Sequence, residues 1–173
     1  RLVSRGLGDV YKRQGKTEVA CVYDPMLNEL FTAQRGSGAQ LNNARIRVKQ
    51  VKDLQGTVLA TGFPFKQKQH SESYFKIMSA LFVDCSDFRR TGSAALDLCY
   101  LAASRVDGFF ELGLKPWDIA AGELIAREAG AIVTDFAGGT DYMKSGNVVA
   151  SSARGVKGML KHIRENGNEA LLK

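Results

Sequence analysis

Asp118 follows Pro116 and Trp117 and opens an apolar stretch, ELGLKPWDIAAGELIAREAG over residues 111–130. A carboxylate there has two jobs open to it. As a helix cap it accepts from backbone N–H groups two or three residues on. As a hard oxygen donor it ligates a cation such as Mg²⁺. The two are compatible, because a carboxylate offers about four acceptor sites. A second candidate is RRTGSAALD, residues 89–97. Gly92 permits backbone angles closed to other residues, and Ser93 then caps a helix built on small side chains. The free N–H groups and positive dipole end of such a helix suit a phosphate or the hydroxyls of a polyol; a plain turn followed by a cap is the competing reading. Arg89 and Arg90 are adjacent, and neighbours on a strand face opposite ways, so at most one of them meets an anion. Glu111 lies seven residues before Asp118, in the strand or turn that feeds the same helix. Either it accepts hydrogen bonds from substrate hydroxyls while Asp118 holds a metal, or it is a solvated strand-end side chain.

The elements that must position these residues follow from hydrophobic periodicity. Residues 18–24 (EVACVYD) and 29–35 (ELFTAQR) are short apolar runs joined by the Pro25–Asn28 link, which predicts an antiparallel hairpin. Residues 36–43 are turn chemistry with a short return, and 46–48 add a strand. Strands are expected again at 57–61, 88–91, 108–112, 132–135 and 148–150. Tyr74, Phe75, Ile77, Met78, Leu81 and Phe82 are spaced for a helix capped by Ser71 or Ser73. Further helices are expected at 93–104, 118–129 and 156–164. Interleaved strands and helices place the chain in the α/β (layered α+β) class.

Bulk properties narrow the choices. The 173 residues, 45% hydrophobic and 24% charged, are enough for one domain with its own core. There is no run of eighteen apolar residues, so no membrane span is expected, and no signal segment argues for export; the expected location is cytoplasmic. Cys21, Cys85 and Cys99 are odd in number and widely spaced, so they read as free thiols and not as a disulfide framework. The net charge of +6 would suit a nucleic-acid partner. Arg1, Arg5, Lys12 and Arg13 against Asp9 supply half of it, and the rest is spread along the chain, so the nucleic-acid signal is weak. Residues 1–14 lack either period and read as a non-native (adaptor-derived) or disordered leader, leaving 15–173 as the C-terminal part of a single domain.

WDIAAGELIAREAGAIVTDFAGG, residues 117–139, resembles the C-terminal signature of the inositol monophosphatase family. TGSAALDLCYLAASRVDGFFELGLKPWD, EVACVYDPMLNELFTAQRGSGAQLNN and LATGFPF are similar to earlier segments of the same family, in collinear order over about 15–165. The resemblance implies a sugar-phosphatase α/β/α/β/α sandwich, here incomplete at its N-terminus. It also implies Mg²⁺-dependent hydrolysis of inositol monophosphate, or of a related sugar or nucleotide bisphosphate, by a metal-activated water. By motif, Asp118 would ligate Mg²⁺, Gly92, Ser93 and Ala94 would line the polyol pocket, and Glu111 would accept from ring hydroxyls. Family members are usually homodimers, and bacterial ones have a regulatory role in transcription antitermination and ribosome biogenesis through the transcription machinery. The family's acidic pair and Asp-Pro-hydrophobic-Asp-Gly-Thr motif, which supply most metal ligands, are not in this sequence. Asp24-Pro25-Met26-Leu27-Asn28 is only superficially similar to the second and reads as a hairpin turn. No catalytic residue is therefore expected to be retained, and little or no activity is expected of these 173 residues alone.

Overall fold

A computed structural model describes residues 7–13, 15–64 and 67–172. Five strands form an antiparallel meander: β1 (Leu7–Arg13), β2 (Lys16–Asp24), β3 (Glu29–Gln34), β4 (Gly38–Leu41) and β5 (Ala44–Ile46), each paired with the next. The β2–β3 hairpin turns on Asp24, whose Oδ1 accepts from the Met26 and Leu27 N–H groups at 2.9 and 3.3 Å. Leu7–Arg13, within the stretch set aside as a leader, pairs antiparallel with β2 from Leu7↔Tyr23 to Arg13↔Lys16. The physical reason is that β2 offers an open edge of unpaired N–H and C=O groups, which a segment without side-chain periodicity can still satisfy. Residues 1–6 and 14 of that stretch lie outside the described residues.

The second sheet is mixed, in the order β7-β6-β8-β10-β9, with β6 (Val58–Thr61), β7 (Asp87–Arg89), β8 (Gly108–Glu111), β9 (Ile132–Thr134) and β10 (Val148–Ser151). β7 and β8 both run parallel to β6, while β10 is antiparallel to β8 and β9. The helices are α1 (Ser71–Asp84), α2 (Ala94–Ala102), α3 (Pro116–Glu128), α4 (Tyr142–Ser145) and α5 (Ala153–Asn166). Helices α2 and α3 lie between the sheets, and α1 and α5 cover the far face of the second. The described residues thus build four layers, sheet, helices, sheet, helices, of the expected sandwich. No helix among them lies on the outer face of the first sheet, where Val19, Tyr23 and Leu30 are exposed.

Both faces of the second sheet are therefore dry, and β8 shows it in its alternation. Phe109 joins the core with Phe31, Leu98, Ile119 and Ile125, while Phe110 joins the one with Tyr74, Ile77, Met159 and Ile163. Successive strand residues face opposite ways, and a strand covered on both sides reads as a continuous apolar run. Thr61 pins this strand from within the core: its Oγ1 lies 2.5 Å from the Tyr74 hydroxyl and donates to the Phe110 carbonyl at 2.8 Å.

Helix α1 differs from expectation at its start. A 3-10 turn, Lys68–His70, runs directly into it, and the Ser71 N–H donates to the Lys68 carbonyl. Neither Ser71 nor Ser73 is its cap, because the preceding turn already satisfies the first donors. No helix among the described residues is long and apolar enough to cross a membrane.

Candidate functional site

Parallel pairing places the carboxyl ends of β6, β7 and β8 at one edge of the second sheet. Such an edge is where ligands bind in open α/β sheets. Three segments leave it: Gly62–Phe63 after β6, Arg90–Ser93 after β7, and Glu111 ending β8. The expected strand at 88–91 is Asp87–Arg89, so Arg90 belongs to the loop. Arg89 pairs with Asp87. Arg90 lies over the Phe63 ring, 5.3 Å from its centroid, and its charge acts on both Asp97 and Glu111. One arginine of the two faces the site.

The loop then turns through Gly92, whose φ of 91° is in the left-handed region. A Cβ at that position would meet no atom within 4 Å, so glycine is there for its backbone freedom and not for room. Ser93 is the N-cap of α2, its hydroxyl accepting from the Leu96 N–H at 3.5 Å. Ala94 opens the first turn and is buried. Thr91 ties the loop down: its hydroxyl donates to Asp97 Oδ1 at 2.7 Å and accepts from the Ser93 N–H at 3.4 Å. Asp97, only 1% exposed, is a site residue that sequence reasoning missed. An aspartate in the first turn of a helix reads as a dipole-complementing surface residue, and nothing local marks it as buried.

Glu111 follows from the register of β8 with β6, which places it beside Gly62. A Cβ on Gly62 would overlap the carboxylate of Glu111, with Oε2 at 2.7 Å and the remaining atoms nearer. The carboxylate is thus seated on bare backbone. Burial, then the charges of Asp97 and Asp118, push its pKa up to about 8, against the pull of Arg90. Burial likewise pushes Asp97 up to about 7, opposed by its bond from Thr91 and by Arg90. At neutral pH this pair holds a proton that water would remove, and a protonated carboxyl donates as well as accepts.

Asp118 is half-buried, and it is not the N-cap residue. Helix α3 begins at Pro116 after Lys115, which makes Asp118 the third residue. Its Oδ2 reaches back to accept from the Lys115 N–H at 3.0 Å, while its own N–H donates to the Lys115 carbonyl at 2.8 Å. Proline at the first helical position, where its missing N–H costs no helical bond, starts the helix two residues before the carboxylate. Oδ1 makes no hydrogen bond among the described residues, so one oxygen remains for a ligand. Asp118 acts on Glu111 electrostatically, so the two lie in one neighbourhood.

Mg²⁺ takes six oxygens in near-octahedral geometry. Among the described residues no group of three His, Cys, Asp or Glu side chains is placed to hold a metal. The free oxygen of Asp118 fits one position of such a shell, and the described residues do not complete it.

A helix start, a buried acid pair and one free carboxylate oxygen thus gather at the carboxyl edge of the parallel strands of a layered α/β fold. Residues 7–169 match the inositol monophosphatase family, and the chain belongs to it. It is 84% identical over 160 residues to the Nus factor SuhB of Vibrio cholerae, covering 92% of this chain and 60% of that protein. To the Nus factor SuhB of Escherichia coli K12 it is 63% identical over 158 residues, 91% of this chain and 59% of that one. The solved structure of the extragenic suppressor protein suhB from Bartonella henselae superposes with a TM-score of 0.89 at 39% identity, covering 92% and 61% of the two chains. The IMPase of Thermotoga maritima gives 0.85 at 34% identity, covering 95% and 63%. The chain thus spans about 60% of the length of the curated relatives it matches.

Proposed function

We propose that, at the length of its relatives, this protein is a Mg²⁺-dependent phosphatase of inositol monophosphate or a similar polyol phosphate. The chain supplies the polyol wall and one metal ligand. The observation that carries the reading is the convergence of Glu111, the Gly92–Ser93–Ala94 helix start and Asp118 at the carboxyl edge of three parallel strands. Bound Mg²⁺ supplies Lewis-acid stabilisation and an acidified water. Asp118 would offer Oδ1 to such an ion, its carboxylate plane held by the bond that Oδ2 accepts from the Lys115 N–H. Glu111 receives the ring hydroxyls, with Gly62 behind it leaving room. Gly92, Ser93 and Ala94 present the α2 start to the polyol, and Arg90 balances the acid pair beside it.

The test is an assay on inositol-1-phosphate with Mg²⁺. A form extended to the relatives' length is expected to turn over, and Asp118→Ala to lower kcat/KM by roughly 10²-fold or more. The 173-residue chain alone is expected to be nearly inactive. Full activity in the Asp118→Ala form would sink the assignment of the metal ligand.

The name Nus factor carried by relatives at 84 and 63% identity favours a second, compatible role, contact with the transcription machinery. If that role is independent of catalysis, Asp118→Ala leaves capture of transcription factors intact. The proposed assembly is a homodimer, read out by light scattering, and the proposed location is cytoplasmic.

A further inference from the structure

The link between Glu111 and Asp118 sets how the two carboxylates stand to each other. Its middle, Gly113 and Leu114, belongs to no helix or strand. The backbone there is held from the side, by the two residues that lead into β10. The Leu114 N–H donates to the Gly146 carbonyl at 3.0 Å, and the Gly113 N–H donates to Asn147 Oδ1 at 3.3 Å. These donors stand one and two residues before Lys115, whose N–H holds Asp118 Oδ2. Gly146 makes the approach possible. Its φ of 75° is left-handed, and a Cβ there would overlap the Leu114 carbonyl oxygen and stand 2.8 Å from its nitrogen.

The support is itself anchored. The Gly146 N–H donates to the Tyr142 carbonyl at 2.9 Å. The Tyr142 hydroxyl donates to Glu123 Oε1 at 2.8 Å and accepts from Arg127 Nη2 at 2.9 Å, which ties α4 to α3. Asn147, only 7% exposed, has a second limb: its Nδ2 donates to the Leu171 carbonyl at 3.2 Å. Leu171 packs into the core shared by α1 and α5. Its N–H donates to Asn168 Oδ1 at 3.1 Å, and Asn168 Nδ2 donates to the Ser73 hydroxyl at 2.9 Å. A buried amide side chain is costly unless its polar atoms are bonded. Asn147 bonds its acceptor to the link and its donor to the segment after α5, a division that only a side chain with both groups can make.

We infer that Asn147 is a positioning residue for the Glu111–Asp118 site, bracing the Gly113–Leu114 link against the segment that follows α5. Its consequence for turnover rests on the phosphatase reading above; the brace itself does not. Asn147 acts through the link and not by touching substrate. Three segments distant in sequence, at 113–114, 146–147 and 168–171, then work as one unit.

The test uses the form extended to the relatives' length, with inositol-1-phosphate and Mg²⁺. Asn147→Ala should lower kcat/KM roughly 5- to 10-fold, the factor that one lost hydrogen bond represents. Val22→Ala, a core truncation in the first sheet, should lower the unfolding temperature at least as far and leave kcat/KM unchanged, because a protein so destabilised is still almost wholly folded at room temperature. An Asn147 that merely supported the fold would behave as Val22 does. Leu171→Ala, which loosens the other limb, should lower kcat/KM roughly 2- to 5-fold alone and add nothing in the Asn147→Ala background. Where Asn147→Ala fails to fold by circular dichroism, Leu171→Ala alone decides. Independently of turnover, the Gly113 amide of the 173-residue chain should exchange its hydrogen roughly 5- to 10-fold faster in Asn147→Ala than in Val22→Ala. Equal Gly113 exchange in those two variants, unchanged kcat/KM, or losses that add across Asn147 and Leu171 overturns the inference. An extended form that is inactive with every residue intact refutes the phosphatase reading instead, and the Gly113 exchange then decides the brace.

Discussion

Gly62→Ala isolates what seats Glu111. The added methyl would overlap the whole carboxylate, whose farther oxygen, Oε2, lies only 2.7 Å away. Carbon and oxygen at ordinary contact need the carboxylate to retreat by about 1 Å. It can do so, because the obstructing atoms are the end of a rotatable side chain, and the Gly62 backbone is not in the left-handed region. The fold should therefore survive with a loss on the order of 1 kcal/mol, the cost of one off-rotamer side chain. The site should not, since misplacing a binding group by about 1 Å costs about 10²-fold. Two readouts separate these effects. Thermal unfolding should shift by only a few degrees, while inositol-1-phosphate turnover in the form extended to the relatives' length should fall about 10²-fold. Carboxyl NMR should also find Glu111 titrating below about 8 as it moves toward water. A Gly62→Ala protein with undisturbed turnover and an unmoved Glu111 titration would refute the seating argument.

Other expectations follow from the same geometry. Asp97 and Glu111 have pKa values raised in the folded state to about 7 and about 8, so the folded protein binds more protons than the unfolded one. In metal-free buffer, stability is then full below about pH 4 and falls as pH rises through the 4–8 window, which denaturant titrations at pH 5 and pH 8 will measure. Asp97→Asn keeps an acceptor for Thr91 and removes the buried charge, so it should flatten that loss and stabilise at pH 8; an unchanged pH profile would count against the buried acid pair. Thr61→Val removes one partner each from the Tyr74 hydroxyl and the Phe110 carbonyl, which keep their own bond at 3.3 Å, and calorimetry should find it about 0.5–1.5 kcal/mol less stable. Asp118→Ala should cost only about 0.5–2 kcal/mol of stability through the lost contact to Lys115, so a much larger loss would mean the residue is chiefly structural.

Local pattern revealed the elements better than their partners. The β2–β3 hairpin, α2 and α3 all fall within a few residues of their expected positions, because apolar spacing and a Pro-bearing link are local signals. Helix α4 was not legible, since a single turn has no period to detect. The strand expected at 46–48 lies at Ala44–Ile46, where pairing with β4 and not side-chain alternation decides its limits. The residues of the proposed site, Gly92, Ser93, Ala94, Glu111 and Asp118, stand out in the sequence only one by one. What joins them is the parallel pairing of β6 with β7 and β8, a contact between distant segments that leaves no mark in either one. Asp97, Thr91 and Gly62 depend on that pairing for their meaning and so stayed hidden.

Strand β8 carries Phe109 into one hydrophobic core, Phe110 into the other, and Glu111 to the seat beside Gly62 in three consecutive residues. Neither core can loosen by itself without unseating the carboxylate next in line. Amide hydrogens along 109–111 should accordingly exchange only through whole-molecule opening. A destabilising change far away, on either side of the second sheet, would then be felt at Glu111 as lost occupancy of the seated state before it is felt as a changed shape.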